Sequence, residues 1–186
     1  MDTLTAIYER HSFGKLKPDP VPREVIEKLL SAAVQAPNHF RVRPWRFVVL
    51  TGAGRERLGA ALEASFVSRF PEAPAEAAQK ERQKPLRAPL VIAAAVDLPA
   101  EPKVDEIENL CAVAAACQNL LLAATDLGLG GIWRTGETVR DPQIKHFLGI
   151  APEQPLIGFL YLGYPEVTEV NFPERPSFED RTVWMD

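Results

Sequence analysis

The chain has 186 residues, the size of one ordinary domain and enough to bury about two thirds of the surface the unfolded chain would expose. Hydrophobic residues make up 46% and charged residues 25%, which excludes a disordered chain. A formal charge of −4, from 21 basic and 25 acidic residues, gives no electrostatic basis for binding nucleic acid or an anionic membrane. One domain over 1–186 is expected.

Residues 1–10 carry acidic side chains and no apolar run, and no stretch approaches the ~20 uninterrupted apolar residues of a membrane span, so a cytoplasmic protein is expected. Leu4, Ile7 and Tyr8 make a short amphipathic opening. Between 22 and 36, Val25, Ile26, Leu29, Leu30, Ala33 and Val34 fall at helical spacing, with Pro22 suited to a first turn and Pro37 ending the run. Residues 46–50 are short, apolar and β-branched, which predicts a buried strand, and a helix over about 55–66 follows. The stretch 71–89 mixes Pro, Ala, Glu, Lys and Gln without a sustained apolar face and reads as a surface excursion, a candidate flap.

Residues 90–96 form a continuous apolar run, as a strand buried on both faces does, and 97–103 close it. The longest periodic stretch, about 104–127, places Ile107, Leu110, Ala114, Cys117, Leu121 and Ala124 at three- and four-residue steps and is apolar on more than one face, so a partner subunit is the simplest cover. Cys111 and Cys117 lie six apart within it, about 120° apart around a helix axis, and have no metal-ligand spacing. They read as two small core-facing thiols, and no metal is expected. Gly128, Gly130 and Gly131 end this helix, then come a short segment 132–134, a helix opened by Asp141-Pro142 and closed by Gly149, and a strand near 156–162. The tail, 164–186, carries Phe172, Phe178 and Trp184, too apolar for a free tail, and is expected to dock.

Thr51-Gly52-Ala53-Gly54-Arg55-Glu56-Arg57 imitates a dinucleotide fingerprint, but Arg57 stands where the third glycine belongs and no acidic residue follows at the required distance. It reads as a plain strand-to-helix turn. Three clusters carry more chemistry. Arg10-His11-Ser12 offers several donors within one turn, suited to a phosphate or polyhydroxyl chain, or is simply a charged helix end in solvent. The Pro-framed loop 36–45 holds Pro37, Asn38, His39, Arg41, Arg43 and Trp45, and serves either a ligand or a connection plugged into the core by Trp45. In 128–136, glycines allow close backbone approach and Trp133 offers a ring, or the segment is a helix cap followed by a strand with a buried Trp.

These clusters, with Gly158-Phe159-Leu160-Tyr161-Leu162-Gly163, resemble in order and spacing the nitroreductase family of FMN-dependent oxidoreductases, specifically its short, single-domain bacterial branch of NAD(P)H nitroreductases. The likeness covers almost the whole chain. It implies an α+β fold, a central and mostly antiparallel sheet flanked by helices, in a homodimer whose carboxy-terminal segment is exchanged onto the partner. It further implies FMN at the dimer interface, NADH or NADPH as electron donor, and ping-pong hydride transfer to a small-molecule acceptor such as a nitroaromatic or quinone. Reductive dehalogenation, oxidative cofactor cleavage and flavin binding without turnover are the competing readings.

Carried over residue by residue, Arg10, His11, Ser12 and Arg175 would hold the phosphate and ribityl chain, and Pro37, Asn38 and His39 would reach the cofactor from the other subunit. Trp133, Arg134, Thr135 and Gly136 would lie along the isoalloxazine. No side chain is assigned as a catalytic acid or base. Arg43 stands where the family has Gln before Pro-Trp, Arg41 where a small polar residue is common, and Gln35 where a basic residue is frequent. Arg41 and Arg43 are therefore expected to add positive charge at the substrate face.

Overall fold

The described residues of a computed structural model, 1–97, 103–167 and 174–185, run in the order α1 (Thr3–Glu9), α2 (Arg23–Ala33), β1 (Trp45–Thr51), α3 (Gly52–Arg69), α4 (Ala75–Gln83), β2 (Leu90–Val96), α5 (Glu106–Asp126), β3 (Gly130–Arg134), α6 (Pro142–Phe147) and β4 (Leu156–Gly163). The four strands pair in the order β1-β2-β4-β3, every pair antiparallel. The continuous apolar run of β2 is explained by its place: it is a central strand covered on both sides. Leu90, Ile92, Ala94 and Val96 join Leu29 of α2 and Val113, Cys117 and Leu120 of α5 in one core. Val91, Ala93 and Ala95 join Leu58 and Leu62 of α3 and Ile144 of α6 in the other. This is the α+β architecture that the family resemblance implies.

One irregularity shapes the sheet near the candidate site. Ala94 pairs with Gly158 and Ala95 with Leu156, so Ile157 is an extra residue and β4 bulges. The indole of Trp133 lies over the bulge, its Nε1–H donating to the Ile157 carbonyl at 3.2 Å. Only glycine fits beneath it, because a Cβ on Gly158 would stand 2.0 Å from Trp133 Nε1.

Several expectations need correction. The helix after β1 starts at Gly52 rather than 55 and runs on to Arg69. The stretch 71–89 is no bare excursion: it contains α4 and a 3₁₀ turn, Lys84–Arg87, with Ala78, Pro85 and Ala88 buried. Its contact face is built from small residues, so apolar periodicity does not reveal it. Helices α3 and α4 pack so closely that a Cβ on Gly59 would lie 2.3 Å from the Arg82 carbonyl oxygen.

Helix α5 starts with a capping box, in which the Asp105 side chain accepts from the Glu108 backbone N–H and the Glu108 side chain accepts from the Asp105 N–H, fixing both orphan donors. Its inner face is core, but Ile107 and Cys111 are exposed, so Cys111 is not the core-facing thiol expected. Cys117 is buried, and burial pushes its thiol up to about 12. Among the described residues α5 is the one helix long and apolar enough to cross a membrane, a property that the core helix of a globular protein shares. Of the tail, Phe172 and its neighbours 168–173 lie outside the described residues, as do 98–102 of the expected turn. Residues 174–185 leave Phe178, Val183 and Trp184 exposed.

Candidate functional site

The first cluster is positioned by α1. Asp2 caps this helix by accepting from the N–H groups of Leu4 and Thr5, 3.1 Å each, and the amino-terminal ammonium pairs with Asp126 at the end of α5. The chain leaves α1 at Arg10 and meets the outer edge of β3: Ser12 bridges Gly131, and the Phe13 N–H donates to the Gly131 carbonyl at 3.1 Å. From the far end of the sequence, Arg175 donates through Nη1 to the Ile7 carbonyl at 3.3 Å and through Nη2 to the Arg10 carbonyl. Burial, and then the positive charge of Arg175, hold the Arg10 guanidinium below its ordinary range. Neither arginine is in an ion pair among the described residues. His11 Nδ1 donates to the Glu9 carbonyl at 2.7 Å. Two neighbouring cations with no carboxylate between them form a place for an anion.

The second cluster sits elsewhere. His39 Nδ1 pairs with Glu108 at 2.6 Å, and the Asp105 N–H, then His39, hold the Glu108 carboxyl below its usual range. Asn38 is used inside its own loop: Oδ1 accepts from the Arg43 N–H at 2.9 Å and Nδ2 donates to the Ala36 carbonyl at 3.4 Å. Phe40, Arg41 and Arg43 have positive φ of 48°, 57° and 52°, a conformation that side chains with a Cβ adopt at a cost. The loop, with Pro37, borders a shallow groove of about 700 Å³ whose other wall is Ile107, Cys111 and Ala115 of α5.

Within one chain these two clusters do not meet. Gly131 packs on Leu121, to whose Cδ2 a Cβ would come within 3.2 Å, whereas His39 is tied to Glu108. Thirteen residues of helix separate Leu121 from Glu108, about 20 Å at 1.5 Å per residue.

The third cluster lies at the end of β3. Trp133, Arg134 and Thr135 border a cavity of about 280 Å³ between the sheet and the α3–α4 hairpin, and Gly136 leads into a 3₁₀ turn, Glu137–Arg140. The indole of Trp133 is held against the core. Arg134 places its guanidinium 5.5 Å from the Tyr161 ring centre, and its Nε is buried without a partner. Burial raises the Tyr161 phenol, against the pull of Arg134 and Arg87. Lys84 and Arg87 border the same cavity and were missed from sequence, because the stretch carrying them reads as surface; their spacing on one turn just before a buried strand is the signal available. Arg41 and Arg43 are exposed on the distant loop and do not border this cavity.

The model of the "Nitroreductase family" matches residues 7–164. "Putative NAD(P)H nitroreductase YdjA" of Escherichia coli (strain K12) is 34% identical over 182 residues, covering 96% of this chain and 98% of that protein. Among solved structures, a nitroreductase-like family protein from Bacillus cereus superposes with a TM-score of 0.87 at 24% identity, covering 100% of this chain and 96% of the other. The FMN-dependent nitroreductase NfnB from Mycobacterium smegmatis in complex with NADPH gives 0.75 at 20% identity, covering 98% and 97%. With the matched segment running from α1 through β4, the chain belongs to the nitroreductase family.

Proposed function

We propose that the protein is an FMN-dependent NAD(P)H oxidoreductase that works as a homodimer. The observation that carries this reading is the pair Arg10 and Arg175, two guanidiniums held side by side with no acidic counterpart among the described residues. A phosphate dianion fits that pair, and Ser12 and His11, which follow Arg10 in the chain, would serve the polyol chain. The names of the relatives support the same reading. When bound, FMN supplies hydride transfer between a nicotinamide and an electron-poor acceptor such as a nitroaromatic or quinone.

This chain's residues supply binding and electrostatics. The backbone N–H groups near Thr135 and Gly136, at the end of β3, are the donors suited to stabilising negative charge on a reduced ring. Pro37, Asn38 and His39 would complete the site from a second copy, since in their own chain they stand a helix length away. The apolar residues exposed at the carboxy terminus and the outer edge of β1, unpaired among the described residues, suit an exchanged tail, and the exposed Ile107 and Cys111 stripe suits a packed helix pair. Alternate reduction by the nicotinamide and oxidation by the acceptor, at one site, makes the kinetics ping-pong.

The test is one spectrum. The purified protein is expected to be yellow, or to become so with added FMN, and NADH or NADPH should bleach it without air. A protein that takes up no flavin, or whose flavin neither nucleotide reduces, contradicts the reading.

A further inference from the structure

The side chain of His39 is 52% exposed, yet it is held from two sides. Its Nδ1 lies 2.6 Å from Glu108 Oε1, and since a carboxylate only accepts, Nδ1 carries the proton and donates. Glu108 is not free to swing: its Oε2 accepts from the Asp105 N–H at 3.0 Å, as part of the capping box of α5. The Phe40 ring stacks on the imidazole, with ring centres 4.6 Å apart and planes 22° apart. Phe40 reaches that place from left-handed backbone, φ 48° and ψ 18°, and is itself exposed, so no core burial offsets the conformational cost. With Nδ1 engaged, Nε2 is the polar atom of the ring left over, and it has no partner among the described residues. Fixing a half-exposed ring in this way, at a cost to the backbone, has a use only if the ring must meet something in one orientation.

We propose that Glu108 is a positioning residue, which fixes the ring plane and the tautomer of His39 so that Nε2 is presented as an acceptor to a hydroxyl or N–H of the flavin held by a second copy of the chain. The inference rests on the reading above, in which His39 completes the partner's site, and adds to it the group that orients His39. The groove beside the pair is walled by Ile107, Cys111 and Ala115 of α5, the face that a second copy would cover. A carboxylate suits the task because it has two oxygens for two donors, the Asp105 N–H on one side and the His39 Nδ1–H on the other. The helix cap thereby sets where the carboxylate stands, and the carboxylate sets which nitrogen of His39 is left for the ligand.

The experiment compares wild type, Glu108→Gln, His39→Ala and the double variant, each as apoprotein and with FMN. Gln has one carboxamide oxygen for the two donors that Glu108 serves, so keeping the cap turns its NH2 toward His39 Nδ1 and drives the imidazole proton to Nε2. Nitrogen NMR of the histidine side chains, above the titration of the ring, should show His39 protonated at Nδ1 in wild type and at Nε2 in Glu108→Gln, while the melting temperature of the apoprotein hardly changes. FMN affinity should fall about five-fold in Glu108→Gln, the worth of one ordinary hydrogen bond, and at least as far in His39→Ala. The double variant should bind FMN no more weakly than His39→Ala alone, because Glu108 acts only through His39. Losses that add in the double variant, an FMN affinity that Glu108→Gln leaves unchanged, or a wild-type His39 protonated at Nε2 alone would make the pair a structural staple between the loop and α5, and overturn the proposal. Bleaching of the same samples by NADH or NADPH reports on the oxidoreductase reading separately: flavin bound equally by all variants and bleached in each sinks the role of Glu108 alone, whereas a wild type that binds no flavin sinks both.

Discussion

Arg10 and Arg175 carry the same charge but do different structural work. Arg175 spends donors on the carbonyls of Ile7 and Arg10 and so fastens the tail to α1, whereas the guanidinium of Arg10 donates to no protein acceptor among the described residues and is left for a ligand. Arg10→Ala should therefore weaken FMN binding by roughly ten- to hundred-fold, the equivalent of about 1.5–3 kcal/mol for a lost charge-assisted contact, while the melting temperature of the apoprotein hardly changes. Arg175→Ala should lower both. Fluorescence titration with FMN and thermal melting of the apoprotein measure the two effects, and an Arg10→Ala variant with wild-type affinity contradicts the phosphate role. At this scale the polar segment before Ser12 is legible because three donors within one turn are an unusual grouping. Its meeting with Arg175 is legible only through the family resemblance, because spacing along a chain carries no information about contacts across 165 positions. Lys84 and Arg87 escape notice for another reason: nothing about a Lys or Arg shows that its neighbours will fold a wall around it.

Among the elements, those that bury large apolar side chains were legible and those that bury small ones were not. The runs of β2 and β4 and the repeat of α5 follow the periods of strand and helix, whereas β1, expected as a buried strand, lies at the sheet edge with Leu50 its one buried residue. Helix α4, AEAAQKERQ, has alanine alone on its packed side, and alanine sits equally well in a loop. Close packing of α3 on α4 leads to a prediction at Gly59. On an exposed helix, Gly→Ala gains about 0.5–1 kcal/mol, but here the new methyl meets the Arg82 carbonyl, backbone that has to move as a unit. Gly59→Ala should be net destabilising, by about 1–3 kcal/mol as overpacking usually is, and lower the melting temperature by several degrees. A melting temperature at or above wild type would show that the hairpin yields at little cost. The loop at 38–43 was legible as Pro-framed, but its three left-handed residues were not, since none is Gly or Asn.

For the whole molecule, the proposed site needs two chains. Particle mass in solution should therefore be that of a dimer, and dilution that separates the chains should release FMN with the same midpoint; a stable monomer retaining stoichiometric flavin contradicts this. The 20 Å of α5 between the Ser12 region and His39 has a genetic consequence. If each cofactor is held by the Arg10 end of one chain and the His39 end of the other, then damage to the two ends is recessive in different ways. Co-expressed Arg10→Ala and His39→Ala chains should form hybrids in which one site collects both lesions and the other collects none. With random pairing about a quarter of all sites are then intact, so the mixture should regain flavin and activity that neither parent has alone, and a mixture no better than its parents would place both residues in a single chain's site.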